Sequence, residues 1–81
     1  MAWHVYIIRC KGNLLYTGIT KDLERRVKEH NSGKGCKFTR YRTPVELMYS
    51  ERAQNRPQAL IREARIKQLR RPDKLRLFKG D

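Results

Sequence analysis

The stretch "WHVYIIRCKGNLLYTG", residues 3–18, decides the fold. Residues 3–10 are aromatic and β-branched and apolar on both faces, the pattern of a central strand. "KGN" at 11–13 is turn material, and "LLYTG" at 14–18 reads as the returning strand. Loop length carries the consequence. A two-residue Gly12-Asn13 turn, the local preference, makes facing positions sum to an odd number and splits Tyr6 from Tyr16. A three-residue loop makes the sum even and gathers Tyr6, Ile8, Tyr16 and Gly18 on one face.

Beyond the hairpin, Thr20 is a plausible helix N-cap, with Asp22 placed for the first-turn dipole. The helix is predicted to run to about Asn31, where "NSGKG" stops it. Its apolar anchors are Leu23 and Val27. At 100° per residue, Arg26 and His30 fall on the anchors' side, whereas Arg25 and Lys28 point away. "VELMYS", 45–50, alternates like a third strand. A second helix is predicted from near Pro57 to about Arg71, and Pro72 opens a short last helix through "PDKLRLFKG". The order β-β-α-β-α-α predicts a single α+β domain over residues 1–81, a three-stranded antiparallel sheet flanked by helices.

Composition narrows the partners. Twenty Lys and Arg against eight Asp and Glu leave a net charge of +12 in 81 residues. Such an excess favours a polyanion, with DNA expected and RNA the alternative. Residues 34–42, "KGCKFTRYR", hold four cations and no acid, with Phe38 and Tyr41 interleaved. Arg52 to Arg71 holds seven cations and one acid, Glu63. No apolar run approaches the roughly 20 residues of a membrane span, and no signal-peptide layout opens the chain. A cytoplasmic, nucleoid-associated location and a monomer or weak dimer are expected. Cys10 and Cys36 form no CxxC pair and read as reduced, half-buried thiols.

"SGKGCK" is not a phosphate-binding P-loop, because it lacks the leading glycine and the Ser/Thr after Gly-Lys. Lys34, Lys37, Arg40 and Arg42 are expected on backbone phosphates, together with Lys21, Arg62 and Lys67. Phe38 or Tyr41 could stack on an unpaired base, and Phe38 fits a core position equally well. Glu63 lies within an apolar stripe one turn from Ala59, Leu60 and Ile66. Either it pairs with a cation such as Lys67 at i+4, or it binds one Mg²⁺ or Mn²⁺ through oxygen. Arg26 and His30 admit a packing reading too. Joined to two tyrosines and a glutamate, they make a parts list for phosphodiester hydrolysis: arginine neutralises charge on phosphoryl oxygens, and tyrosine or histidine takes a proton from water. Nearby cations and a metal would favour the phenolate.

The pattern resembles the GIY-YIG nuclease family, within it the small stand-alone bacterial UPF0213 type. "HVYII" stands where the family has its GIY segment and "YTG" where it has YIG. "TKDLERRVKEHNSGKG" resembles the family's arginine-bearing helix, and "ALIREARIKQL" the one bearing its metal-binding glutamate. The resemblance implies that Tyr6 and Tyr16 are the motif tyrosines, Arg26 the catalytic arginine, His30 the following His/Tyr position and Glu63 the ligand of one Mg²⁺ or Mn²⁺. It needs both tyrosines in one site, and so implies the three-residue hairpin loop. Gly18 would leave room for a phosphate. His4 stands in place of the glycine of GIY. Ile19 stands where some active relatives carry lysine, leaving such help to Lys21 or the basic loop. The implied activity is metal-dependent DNA cleavage directed by structure or damage, in repair or recombination. The alternative is a non-catalytic nucleic-acid binder on the same fold.

Overall fold

The computed structural model describes residues 2–78. Three antiparallel strands and three helices follow the order β1 (Trp3–Cys10), β2 (Leu14–Thr20), α1 (Leu23–Asn31), β3 (Glu46–Ala53), α2 (Arg56–Gln68) and α3 (Arg71–Phe78). This is the expected α+β arrangement. The sheet order is β2-β1-β3, so β1 is central, as its two apolar faces require.

Cys10 pairs with Leu14 and Tyr6 with Gly18, which leaves Lys11, Gly12 and Asn13 as a three-residue loop. Gly12 (φ +85°) and Asn13 (φ +63°) both take left-handed backbone, the conformation glycine and asparagine tolerate best. The even register follows, and β1 divides cleanly. Val5 and Ile7 join Ala59 and Ile66 in one core, flanked by Leu15, Ile19, Leu77 and Phe78 beneath α2 and α3. Tyr6, Ile8 and Cys10 join Val45 in another, flanked by Tyr16, Leu23 and Val27 beneath α1.

Several boundaries differ from expectation. Strand β2 continues through Ile19 and Thr20, because both still pair with β1. The cap of α1 is therefore Asp22, whose side chain accepts from the Arg25 N–H at 3.1 Å, while Thr20 Oγ1 accepts from the Asp22 N–H. Strand β3 extends three residues past Ser50. A bulge at Met48 sets Leu47 against Ile8 and Tyr49 against Ile7, switching which side chains face each helix layer. Helix α2 starts one residue before Pro57, capped by the Asn55 side chain on the Gln58 N–H at 2.9 Å, and stops at Gln68. Helix α3 starts at Arg71, and the expected residues 79 and 80 lie outside the described residues.

Candidate active site

Tyr6 and Tyr16 reach the α1 face from neighbouring strands, with ring centroids 6.5 Å apart. Gly18 lies directly opposite Tyr6, and a Cβ there would stand 2.5 Å from the Tyr6 hydroxyl oxygen. The room expected for a phosphate at Gly18 is filled by the Tyr6 ring. The glycine serves the tyrosine.

Helix α1 supplies Arg26 and His30 because residues four apart share a helix face. The Tyr6 hydroxyl lies 2.9 Å from His30 Nε2, and Arg26 Nε donates to that same hydroxyl at 3.4 Å. Arg26 also donates to Glu29 Oε1 at 3.2 Å and to the Gly35 carbonyl at 3.1 Å. Three partners hold the guanidinium, and its side chain remains 28% exposed. His30 is fully buried, with Tyr16 edge-on at 5.4 Å. Arg25 points outward and pairs with Glu29, so the projection chose between the two arginines correctly.

The helix ends in a way that folds the next segment over this group. Gly33 (φ +80°) donates to the His30 carbonyl and Lys34 to the Glu29 carbonyl, the paired bonds that close a helix on a left-handed glycine. The returning loop places Gly35 against His30 so closely that a Cβ there would overlap the imidazole. Thr39, fully buried, lies with Oγ1 2.7 Å from His30 Nδ1. Sequence reasoning missed Gly35 and Thr39, since an irregular loop has no periodicity to mark inward positions. A second glycine two residues beyond the helix stop was the available signal.

Burial governs protonation in this group. Burial pushes the Tyr6 phenol up, outweighing the lowering hydrogen bond and charge of Arg26. Burial also raises Tyr16, helped by its hydrogen bond with Cys36. Both are held as phenols at neutral pH by these protein groups, because desolvation exceeds what one guanidinium returns. Burial and then the Arg26 charge lower His30, so the imidazole is neutral. Burial opposes ionisation of Cys36, but hydrogen bonds from Thr39 and Tyr16 bring its thiol below the usual value. Tyr6 is 1% exposed with its hydroxyl engaged, whereas Tyr16 is partly exposed and stacks on Phe38 at 5.6 Å. The two tyrosines therefore occupy different environments, and only Tyr16 has a face toward solvent.

Glu63 comes from α2, whose Ala59 and Ile66 pack on the opposite sheet face. Its carboxylate is 3.6 Å from Lys67 Nζ and raises the Tyr6 phenol through space, with no hydrogen bond to the α1 group. Among the described residues no three His, Cys, Asp or Glu side chains form a metal-binding group. A lone, largely buried carboxylate does not fit zinc. It does fit Mg²⁺ or Mn²⁺, which bind through one carboxylate and draw their other oxygens from water and phosphate.

The cations expected on phosphates divide. Lys34, Lys37 and Arg40 are exposed and, among the described residues, form no ion pair. Lys21 is exposed over the Trp3 ring at 5.3 Å, beside a 340 Å³ groove shared by Trp3, Ile19 and Arg26. Arg42 instead bonds the Phe38 carbonyl and lies over its ring at 4.7 Å. Arg62 Nε grips both Glu51 oxygens at 3.0 and 3.1 Å, and Lys67 pairs with Glu63. These three are committed within the fold.

The model of the GIY-YIG catalytic domain matches residues 2–76. A UPF0213 protein of Halobacterium salinarum is 52% identical over 75 residues, spanning 93% of this chain and 97% of its own. The solution NMR structure of a UPF0213 protein from Bacillus halodurans matches with a TM-score of 0.62 at 40% identity, covering 100% of this chain and 86% of the other. That of a protein from E. faecalis gives 0.66 at 35% identity, covering 99% and 85%.

Proposed function

The chain belongs to the GIY-YIG family, and from that membership and the geometry above we propose that it is a metal-dependent endonuclease hydrolysing phosphodiester bonds in DNA. The convergence of Tyr6, Tyr16, Arg26 and His30 on one sheet face carries the reading. Arg26, held by three partners beside an open groove, is preorganised to meet charge developing on a phosphoryl oxygen without reorganising. Tyr16, the tyrosine with a face toward solvent, takes the proton of the attacking water from its ionised form, so the phenol must first lose its own proton. Tyr6 and His30, buried and mutually bonded, position Arg26 and do not meet substrate. Glu63 would hold one Mg²⁺ or Mn²⁺, which when bound polarises the phosphate and stabilises the leaving oxygen.

Lys34, Lys37, Arg40 and Lys21 bind the flanking backbone, a contact that carries no sequence information. We therefore assign the enzyme to branched, nicked or damaged DNA, in repair or recombination, with a cytoplasmic, nucleoid-associated location. No helix among the described residues is long and apolar enough to cross a membrane.

The test compares wild type with Glu63→Ala on branched and nicked DNA, with Mn²⁺ or Mg²⁺ and with EDTA. Metal-dependent cutting that the variant loses while still binding DNA supports the enzyme. Absence of cutting on every substrate, at protein concentrations that saturate binding, leaves a nucleic-acid binder on a nuclease fold.

A further inference from the structure

The buried side chains around His30 admit one imidazole tautomer in which every hydrogen has an acceptor. Arg26 can only donate, so the Tyr6 hydroxyl accepts from Nε and must place its own proton elsewhere. Tyr6 is 1% exposed, and the acceptor within reach is His30 Nε2 at 2.9 Å. His30 is neutral and therefore carries its proton on Nδ1, which faces Thr39 Oγ1 at 2.7 Å. Thr39 then places its own proton on Cys36, whose carbonyl oxygen and Sγ both lie 3.5 Å from Oγ1. The reverse tautomer, with Nε2–H directed at Tyr6, leaves the phenolic hydrogen buried without a partner, at a cost of about 1–3 kcal/mol.

We propose that Thr39 is a positioning residue: its hydroxyl accepts from His30 Nδ1, fixes the imidazole tautomer, and thereby turns the Tyr6 oxygen lone pair toward Arg26. The chain Thr39–His30–Tyr6–Arg26 runs from the returning loop to the guanidinium, and Gly35 closes it by accepting from Arg26 while leaving space for the ring. A methyl in place of the hydroxyl keeps the packing and removes the acceptor. The catalytic consequence rests on the nuclease reading. The tautomer does not.

The test is nitrogen-15 NMR of the full chain, wild type against Thr39→Val, with Thr39→Ser as the conservative variant and Thr39→Ala should valine fail to fold. Wild type and serine are expected to show an Nδ1–H imidazole and a slowly exchanging Arg26 Nε–H. Valine or alanine is expected to lose both, and kcat to fall on the order of tenfold with KM unchanged, the scale for removing a group that orients a functional side chain. An imidazole tautomer and Arg26 exchange rate identical in wild type and the valine or alanine variant overturn the proposal. A wild type that cuts no DNA yet shows the Thr39-dependent tautomer removes the nuclease reading and leaves the positioning role standing.

Discussion

Tyr6 lies flat across Gly18, its cross-strand partner, with hydroxyl and ring occupying the volume a side chain at 18 would need. The glycine backbone is not left-handed, so space alone forbids a larger residue. Gly18→Ala should destabilise the fold by about 1–3 kcal/mol, the scale of overpacking a filled core, and push the Tyr6 hydroxyl off His30. A urea midpoint unchanged from wild type would contradict this.

His30 titrates below its unfolded value of about 6.5 because burial and the Arg26 charge resist protonation. Below that pH the unfolded chain takes up a proton the folded chain refuses. Stability should therefore be full above pH 6.5 and fall toward the depressed folded value as pH drops. Urea midpoints at pH 7.5, 6.0 and 5.0 measure it, and His30→Gln should flatten the part of the slope above pH 5, where carboxylates do not yet contribute.

Burial and Cys36 keep Tyr16 a phenol through the neutral range. If its ionisation limits the reaction, cleavage should climb about tenfold per pH unit between 7 and 9 at constant metal. Tyr16→Phe should abolish the climb. Tyr6→Phe should lower the rate across the whole range and keep the slope, since Tyr6 acts on Arg26. A plateau below pH 8 in wild type points to another base.

Lys34, Lys37 and Arg40 stand exposed, while Arg62 is tied to Glu51 and through it to the Tyr49 hydroxyl, which donates to Glu51 at 2.7 Å. Each of the first three, changed to alanine, should reduce the salt slope of DNA binding by about one unit. Arg62→Ala should leave that slope in place and lower the urea midpoint. Binding titrations between 50 and 200 mM salt separate the two classes.

The two thiols differ in the same sense. Burial raises Cys10, and its side chain is enclosed, whereas Cys36 is partly exposed with its thiol lowered by Thr39 and Tyr16. Iodoacetamide at pH 7.5 should alkylate Cys36 well before Cys10. Mass spectrometry of the digested native protein reads the order.

What could be read beforehand was whatever repeats with the period of an element. The 3.6-residue spacing from Leu23 to His30 put Arg26 and His30 on the inner face of α1, and the two apolar faces of β1 put that strand at the centre of the sheet. Local turn preference favoured the wrong hairpin loop, and only the family's need for two tyrosines together selected the right one. Thr20 looked like a cap because both it and Asp22 have capping side chains, and strand pairing decided between them. Arg62 passed for a phosphate binder because Glu51 is eleven residues away on another element. Gly35 and Thr39 depend on how an irregular loop returns to α1, which no local pattern encodes.

The even register of the hairpin gives the central strand two separate audiences. Odd positions of β1 speak to α2 and α3, even positions to α1 and the loop. Drift in the packing beneath α2 can accumulate without disturbing a hydroxyl or an imidazole on the far side. Glu63 is the exception, the one side chain through which α2 reaches the Tyr6 phenol across the sheet. A single residue inserted in Lys11–Asn13 that shifted the pairing by one would send Tyr16 to the α2 audience and Leu15 to that of α1.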